Sequence, residues 1–118
     1  MKLTSLMPLL RTHNLEQSIA FYRQHLGFAC SQQHAEWAFI ERDSITVMLA
    51  LPNAHEPFDK PSFTGSFYFT VDAVDDLWEK LRKSAEVVYP LEDFDYGMRE
   101  FAIRDNNGYC LQFGQEIA

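Results

Sequence analysis

Basic residues are scarce in this chain. Ten lysines and arginines stand against 17 aspartates and glutamates, a formal charge of -7. That balance excludes a nucleic-acid partner, because a phosphate backbone needs a basic face. It suits attraction of a cationic ligand, or simply solubility. Cysteine is nearly absent: Cys30 and Cys110 are the only two, with no CxxC spacing and no Cys/His cluster. Free buried thiols in a reducing compartment are the expectation. The five glycines are well separated, so there is no phosphate loop, and no nucleophile elbow or Ser-His-Asp arrangement is visible. Long apolar runs are missing too. No stretch approaches the ~20 apolar residues of a membrane span, and nothing behind Met1-Lys2-Leu3-Thr4 reads as a cleavable leader. A cytoplasmic protein without a membrane partner is expected.

Aromatic residues, by contrast, are plentiful: 10 Phe, 5 Tyr and 2 Trp. Most must fill the core, but a surplus of rings suits an apolar ligand cavity. With 118 residues the chain reads as one domain, 1–118, large enough to bury roughly two-thirds of its unfolded surface without staples.

Within it the same unit is written twice, over 1–51 and 65–118, joined by a proline-containing linker at 52–64. The first unit opens with a short strand over Leu6–Leu10. Asn14 starts a helix, with Gln17 three residues on as a weak capping box. Leu15, Ile19, Tyr22 and Leu26 form its apolar stripe and Gly27 ends it. Strands follow at Phe28–Gln32, Trp37–Glu41 and Ile45–Leu51, the last two joined by an Arg42-Asp43-Ser44 turn. The second unit repeats the order: a strand at Phe67–Val71, then a helix begun by Asp72 with Asp75 and Asp76 in its first turn, where carboxylates are favoured. Val74, Leu77, Trp78 and Leu81 make its buried face. Strands near Val87–Tyr89, Met98–Ile103 and Tyr109–Phe113 complete it. Asp105-Asn106-Asn107-Gly108 is a strong tight-turn signal, since Asn and Gly tolerate positive φ. The order β-α-β-β-β, twice, is α+β; a ferredoxin-like arrangement also accommodates it.

Three segments resemble the bleomycin-resistance proteins of the glyoxalase/vicinal oxygen chelate superfamily. They are Leu15-Glu16-Gln17-Ser18-Ile19-Ala20-Phe21-Tyr22 with its Leu26-Gly27-Phe28 exit, Glu36-Trp37-Ala38-Phe39-Ile40-Glu41-Arg42-Asp43, and the closing hairpin from Asp95 to Phe113. The resemblance implies the glyoxalase/bleomycin-resistance fold, in which two βαβββ modules form an open barrel-like cleft, and a homodimer with clefts shared across the interface. In the resistance proteins the cleft sequesters a drug and no chemistry follows.

The resemblance also implies four metal-ligand positions, which fall here on Met7, Met48, Ser66 and Gln112. Three of the four lack a ligand for a hard divalent ion, and thioether sulfur suits copper(I) instead. No metal and no other cofactor is therefore expected. The histidines, His13, His25, His34 and His55, sit on separate elements in surface or capping roles.

Strand alternation puts Ala50 in phase with Met48, Tyr68 and Thr70 with Ser66, and Cys110 with Gln112. By the same resemblance Trp37 lines the cleft, and Tyr96 takes the place of a ring that stacks on the drug. Phe94 flanks that mouth, where Glu92, Asp93 and Asp95 attract a cationic tail or merely solvate a loop. Arg99 and Glu100 read as an internal ion pair or rim. The expected ligand residues are thus Trp37, Met48, Ser66, Tyr68, Phe94, Tyr96 and Gln112, with no catalytic residue. The expected function is non-enzymatic binding of a bleomycin-like or other planar or cationic antibiotic. The alternatives are a metal-dependent enzyme of the same superfamily and a regulatory protein with a vestigial cleft. Ser31-Gln32-Gln33-His34 departs from the acidic, aromatic strand of the resistance proteins and weakens the case for bleomycin itself.

Overall fold

A computed structural model describes all 118 residues. It divides into two compact units, Met1–Lys60 and Pro61–Ala118, so the boundary falls inside the proline-containing linker. Each unit is a four-stranded mixed sheet carrying one helix, the α+β pattern of paired βαβββ modules.

In the first unit, β1 (Leu9–Arg11) leads into α1 (Leu15–Leu26), followed by β2 (Ala29–Gln33), β3 (Trp37–Arg42) and β4 (Ile45–Ala50). The strand order is β1-β4-β3-β2, with β1 parallel to β4 and the other pairs antiparallel. The helix starts where Asn14 accepts from the Gln17 amide. The return arm of a capping box is replaced: the Asn14 amide donates to Thr12 Oγ1, which also receives the buried Ser18 hydroxyl at 2.8 Å. Gly27 ends the helix at φ 69°, a left-handed conformation that a Cβ disfavours. Leu15, Ile19, Tyr22 and Leu26 are buried with Leu10, Ala38, Ile40, Val47 and Leu49. Each such large side chain contributes about 1.5–3 kcal/mol.

The second unit repeats the path with β5 (Phe67–Thr70), α2 (Val74–Leu81), β6 (Glu86–Asp93), β7 (Met98–Arg104) and β8 (Cys110–Glu116), in the order β5-β8-β7-β6. On the helix-facing side, Phe101 packs against Trp78 and Phe113, and Phe113 against Phe69. Asp105 organises the β7–β8 turn by accepting from the amides of Asn107, Gly108 and Tyr109.

Four details differ from the sequence reading. The first strand starts three residues later, because Leu6 and Met7 are exposed and precede the parallel pairing. The second strand of the second unit runs to Asp93, and register irregularities absorb its Pro90. Cys30 is exposed on β2 rather than buried. Asp72 does not cap α2. The N-cap is Ala73, and Gln115 on β8 serves instead: its amide oxygen accepts from Val74 N and its nitrogen donates to Asp72 O, both at 2.9 Å. Replacing Gln115 by Ala removes both bonds. The expected result is a loss of about 1 kcal/mol and faster hydrogen exchange at the Val74 amide. An unchanged exchange rate there would show that α2 does not depend on this tether.

Candidate ligand site around Glu100

Side chains on the sheet face of the second unit opposite α2 converge on one carboxylate. The antiparallel β7–β8 register pairs Glu100 with Gly114 and Ala102 with Gln112, while the parallel β5–β8 register pairs Tyr68 with Gln112. Strand alternation therefore brings Ser66, Tyr68, Glu100, Ala102, Gln112 and Gly114 to one face. Two of these, Ala102 and Gly114, have little or no side chain and form a low floor. Room is essential at Gly114, where an added Cβ would lie 1.9 Å from the Tyr68 hydroxyl.

Glu100 is buried, 1% exposed. Its Oε1 accepts from the Tyr68 hydroxyl at 3.0 Å and the Tyr96 hydroxyl at 2.6 Å. Its Oε2 accepts from the Tyr89 hydroxyl and from Gln112 Nε2 at 3.3 Å. Gln112 Nε2 also donates to the Tyr89 oxygen at 2.7 Å, and the Gln112 carbonyl accepts from Ser66 Oγ. Tyr96 is carried by the tight turn after β6. There Gly97, at φ 86°, donates to Phe94 O, and Phe94 N donates to Met98 O. Phe94 stacks on Tyr96 with centroids 5.4 Å apart and meets Tyr89 edge-on at 5.7 Å. Tyr68 and Tyr96 keep 43% and 60% of their surface exposed, so rings anchored on a buried anion reach the surface.

Burial alone would push the Glu100 carboxyl up. The hydrogen bonds from Tyr89, Tyr96, Tyr68 and Gln112 outweigh it and hold the group below its ordinary value of 4.5. A carboxylate offers about four acceptor positions, and all four are taken. Glu100 is thus a fixed anion and a poor general base, since a proton would have to displace a donor. The tyrosines respond in the opposite direction. Tyr68 is pushed up to about 12 by burial and then by its bond to Glu100. Tyr96 is pushed up to about 12, first by its bond to Glu100. Burial, chiefly, also raises Tyr89.

Five of the residues expected from sequence, Ser66, Tyr68, Phe94, Tyr96 and Gln112, meet in this cluster. Trp37 and Met48 belong to the first unit. There Trp37 stacks on His34 at 3.9 Å and meets Phe39 at 4.9 Å, while Met48 pairs with Phe39 and Leu9. The internal duplication is informative here. Trp37 pairs with Ala50 as Glu100 pairs with Gly114, and Met48 pairs with Phe39 as Gln112 pairs with Ala102. Equivalent positions carry rings and a thioether in one unit and a polar cluster in the other.

Glu100 and Tyr89 were not anticipated. Arg99 and Glu100 are not an ion pair, because neighbours on a strand point to opposite faces. Arg99 instead donates to Asp93 at 2.6 and 3.1 Å and reaches Asp75 at 3.3 Å. Asp93, held below its usual range by that guanidinium, is already partnered; Glu92 and Asp95 remain exposed.

The four positions implied for a metal do not fit one. Met7 lies outside β1, Met48 offers only sulfur, and Ser66 and Gln112 bond to each other. No three His, Cys, Asp or Glu side chains are grouped to hold an ion. Such a set does not suit a hard divalent cation, which takes several oxygen ligands with carboxylates among them.

Comparison with known proteins supports the fold. The family model described as Glyoxalase/Bleomycin resistance protein/Dioxygenase superfamily matches residues 3–113. A glyoxalase/bleomycin resistance protein/dioxygenase from Nocardioides superposes with TM-score 0.83 at 20% identity, covering 99% of this chain and 85% of that one. TioX from Micromonospora sp. ML1 gives 0.78 at 20% identity, covering 97% and 99%. A lactoylglutathione lyase from Agrobacterium tumefaciens gives 0.71 at 19% identity, covering 95% and 92%. At such identities the likeness is one of fold. No curated protein matches.

Two outcomes test the cluster. Native phenolate absorbance should show tyrosines that resist ionisation above pH 10 and titrate near pH 12, and Glu100→Gln should shift them downward. Because these folded-state values lie above the unfolded value of 10, the linked stability is complete below pH 10 and is lost as pH rises through about 12. Glu100 has the opposite sign: its contribution is present above 4.5 and is lost as pH falls through its depressed value. Separately, Gly114→Ala should dislodge Tyr68 and lower the urea midpoint, with a cost on the order of 1–3 kcal/mol for a carboxylate that loses a donor. A midpoint equal to wild type would show that Tyr68 is not held at Glu100.

Proposed function

This chain belongs to the glyoxalase/bleomycin resistance protein/dioxygenase superfamily, and within it we propose that the chain is a small-molecule binding protein rather than a metalloenzyme. The observation that carries this reading is the cluster itself: a buried, ionised Glu100 whose four acceptor positions are filled by Tyr68, Tyr89, Tyr96 and Gln112. It holds charge and aromatic surface in place: the base is ionised with every acceptor position filled, and the phenols that fill three of them are held in the protonated form. A planar or cationic molecule suits that surface. Its ring gains about 0.5–1.5 kcal/mol from stacking on Tyr96 beyond area burial, and its charge is drawn by the anion beneath. Bleomycin-like antibiotics are one such class, and sequestration by tight reversible binding is the mode of action proposed. The active form is proposed to be a homodimer; a one-chain mass by light scattering of purified protein would remove that part.

Calorimetric titration with bleomycin-family compounds and a panel of flat cationic drugs tests the reading. Micromolar or tighter binding is expected for at least one compound, weakened tenfold or more by Tyr96→Ala. Absence of heat across the whole panel would refute it, and binding that ignores Tyr96→Ala would move the site elsewhere.

A further inference from the structure

We infer that this site selects cations that carry no N–H groups, such as quaternary or N-alkylated aromatic nitrogen, over guanidinium, amidinium and primary ammonium. The inference rests on the binding reading above and names its ligand class. A cation can be recognised by a carboxylate in two ways. One is direct: N–H donors bond to the carboxylate oxygens, and guanidinium does this best because its fork matches both oxygens. The other is indirect: the charge sits over ring faces in a cage and needs no donor.

Glu100 has closed the first route to itself. Both oxygens already accept two protein donors each, three of the four donors are phenols, and the carboxylate is buried. An incoming guanidinium would have to evict a tyrosine hydroxyl, which would leave that donor unpaired. A cation without donors makes no such demand. It meets the exposed rings of Tyr68 and Tyr96, the latter backed by the Phe94 ring stacked on it. Each phenol that donates to an anion becomes richer in electrons, which strengthens attraction through the ring face. The negative charge stays one ring away, close enough to act and sheltered from competing water.

The same geometry predicts what removing a hydroxyl does. Tyr96 is the most exposed donor, so Tyr96→Phe keeps the ring and opens one acceptor position on Oε1 to a ligand. That change should reduce the discrimination against N–H cations.

The experiment compares three planar probes by calorimetry at pH 8: N-methylquinolinium, the neutral isostere quinoline, and benzamidinium, a cation with N–H donors. The wild-type protein is expected to bind N-methylquinolinium at least tenfold more tightly than either of the others. In Tyr96→Phe the ratio of benzamidinium to N-methylquinolinium affinity should rise at least fivefold. Equal or tighter binding of benzamidinium by wild type, equal binding of quinoline, or an unchanged ratio in the variant would each overturn the inference. So would failure of all three probes to bind, whereas the wider binding reading stands or falls on the drug panel. Circular dichroism of Tyr96→Phe confirms that the variant is folded, and Tyr68→Phe, which vacates a position on the same oxygen, repeats the test independently.

Discussion

The central constraint in this molecule is electrostatic: one carboxylate, Glu100, is buried as an anion. Removing a charge from water costs several kcal/mol unless polar partners replace the water. Here they do, and their demands run through the second unit. Tyr68 must cross the strand beside it, so the residue opposite Glu100 is glycine. Tyr96 must point back from a tight turn, so Gly97 takes positive φ. Gln112 must face Glu100 across Ala102, and Ser66 holds the Gln112 carbonyl. The helix-facing side of the same sheet is ordinary aromatic core, so the cost falls on one face and the packing that supports it on the other.

Duplication makes the specialisation plain. Both units share strand order and register, and thus the same set of face positions. The first unit fills them with Trp37, Phe39, Met48 and Ala50; the second fills them with Glu100, Ala102, Gln112 and Gly114. A fold that repeats its geometry does not repeat its chemistry. That divergence bears on metal binding as well, because the implied positions hold sulfur and neutral oxygen, while the buried carboxylate on this face, Glu100, lies on another strand, fully bonded.

Much of this was legible in the sequence. Periodicity and turn residues placed the helices and nearly all strands, since Asn14, Gly27 and the Asp105–Gly108 turn are local signals with local causes. The family resemblance supplied Ser66 and Gln112, and strand alternation put Tyr68 in phase with Ser66. Tyr96 came from the family resemblance. What stayed hidden was non-local. Gln115 caps a helix from a strand some forty residues later. Glu100 looked like one half of an ion pair with its neighbour, because charge adjacency along the chain is visible and facing is not. The turn residues give only a partial signal: counting outward from Asp105–Gly108 sets Glu100 against Phe113, whereas the turn closes one residue later, from Asp105 N to Tyr109 O, and so sets Glu100 against Gly114, in phase with Gln112. Tyr89 gave no such sign, since register irregularities in β6 separate it from simple alternation.

If Glu100 is a clamped anion, its ionisation should show it directly. Carbon-13 NMR of the Glu100 side-chain carboxyl, followed as pH is lowered, reads the group itself and no other. The expected midpoint lies below the ordinary 4.5, with the tyrosine hydroxyl partners losing order in the same step. A midpoint at or above 4.5 would mean that burial wins over the phenol donors, that Glu100 can be neutral, and that the site does not present a fixed negative charge.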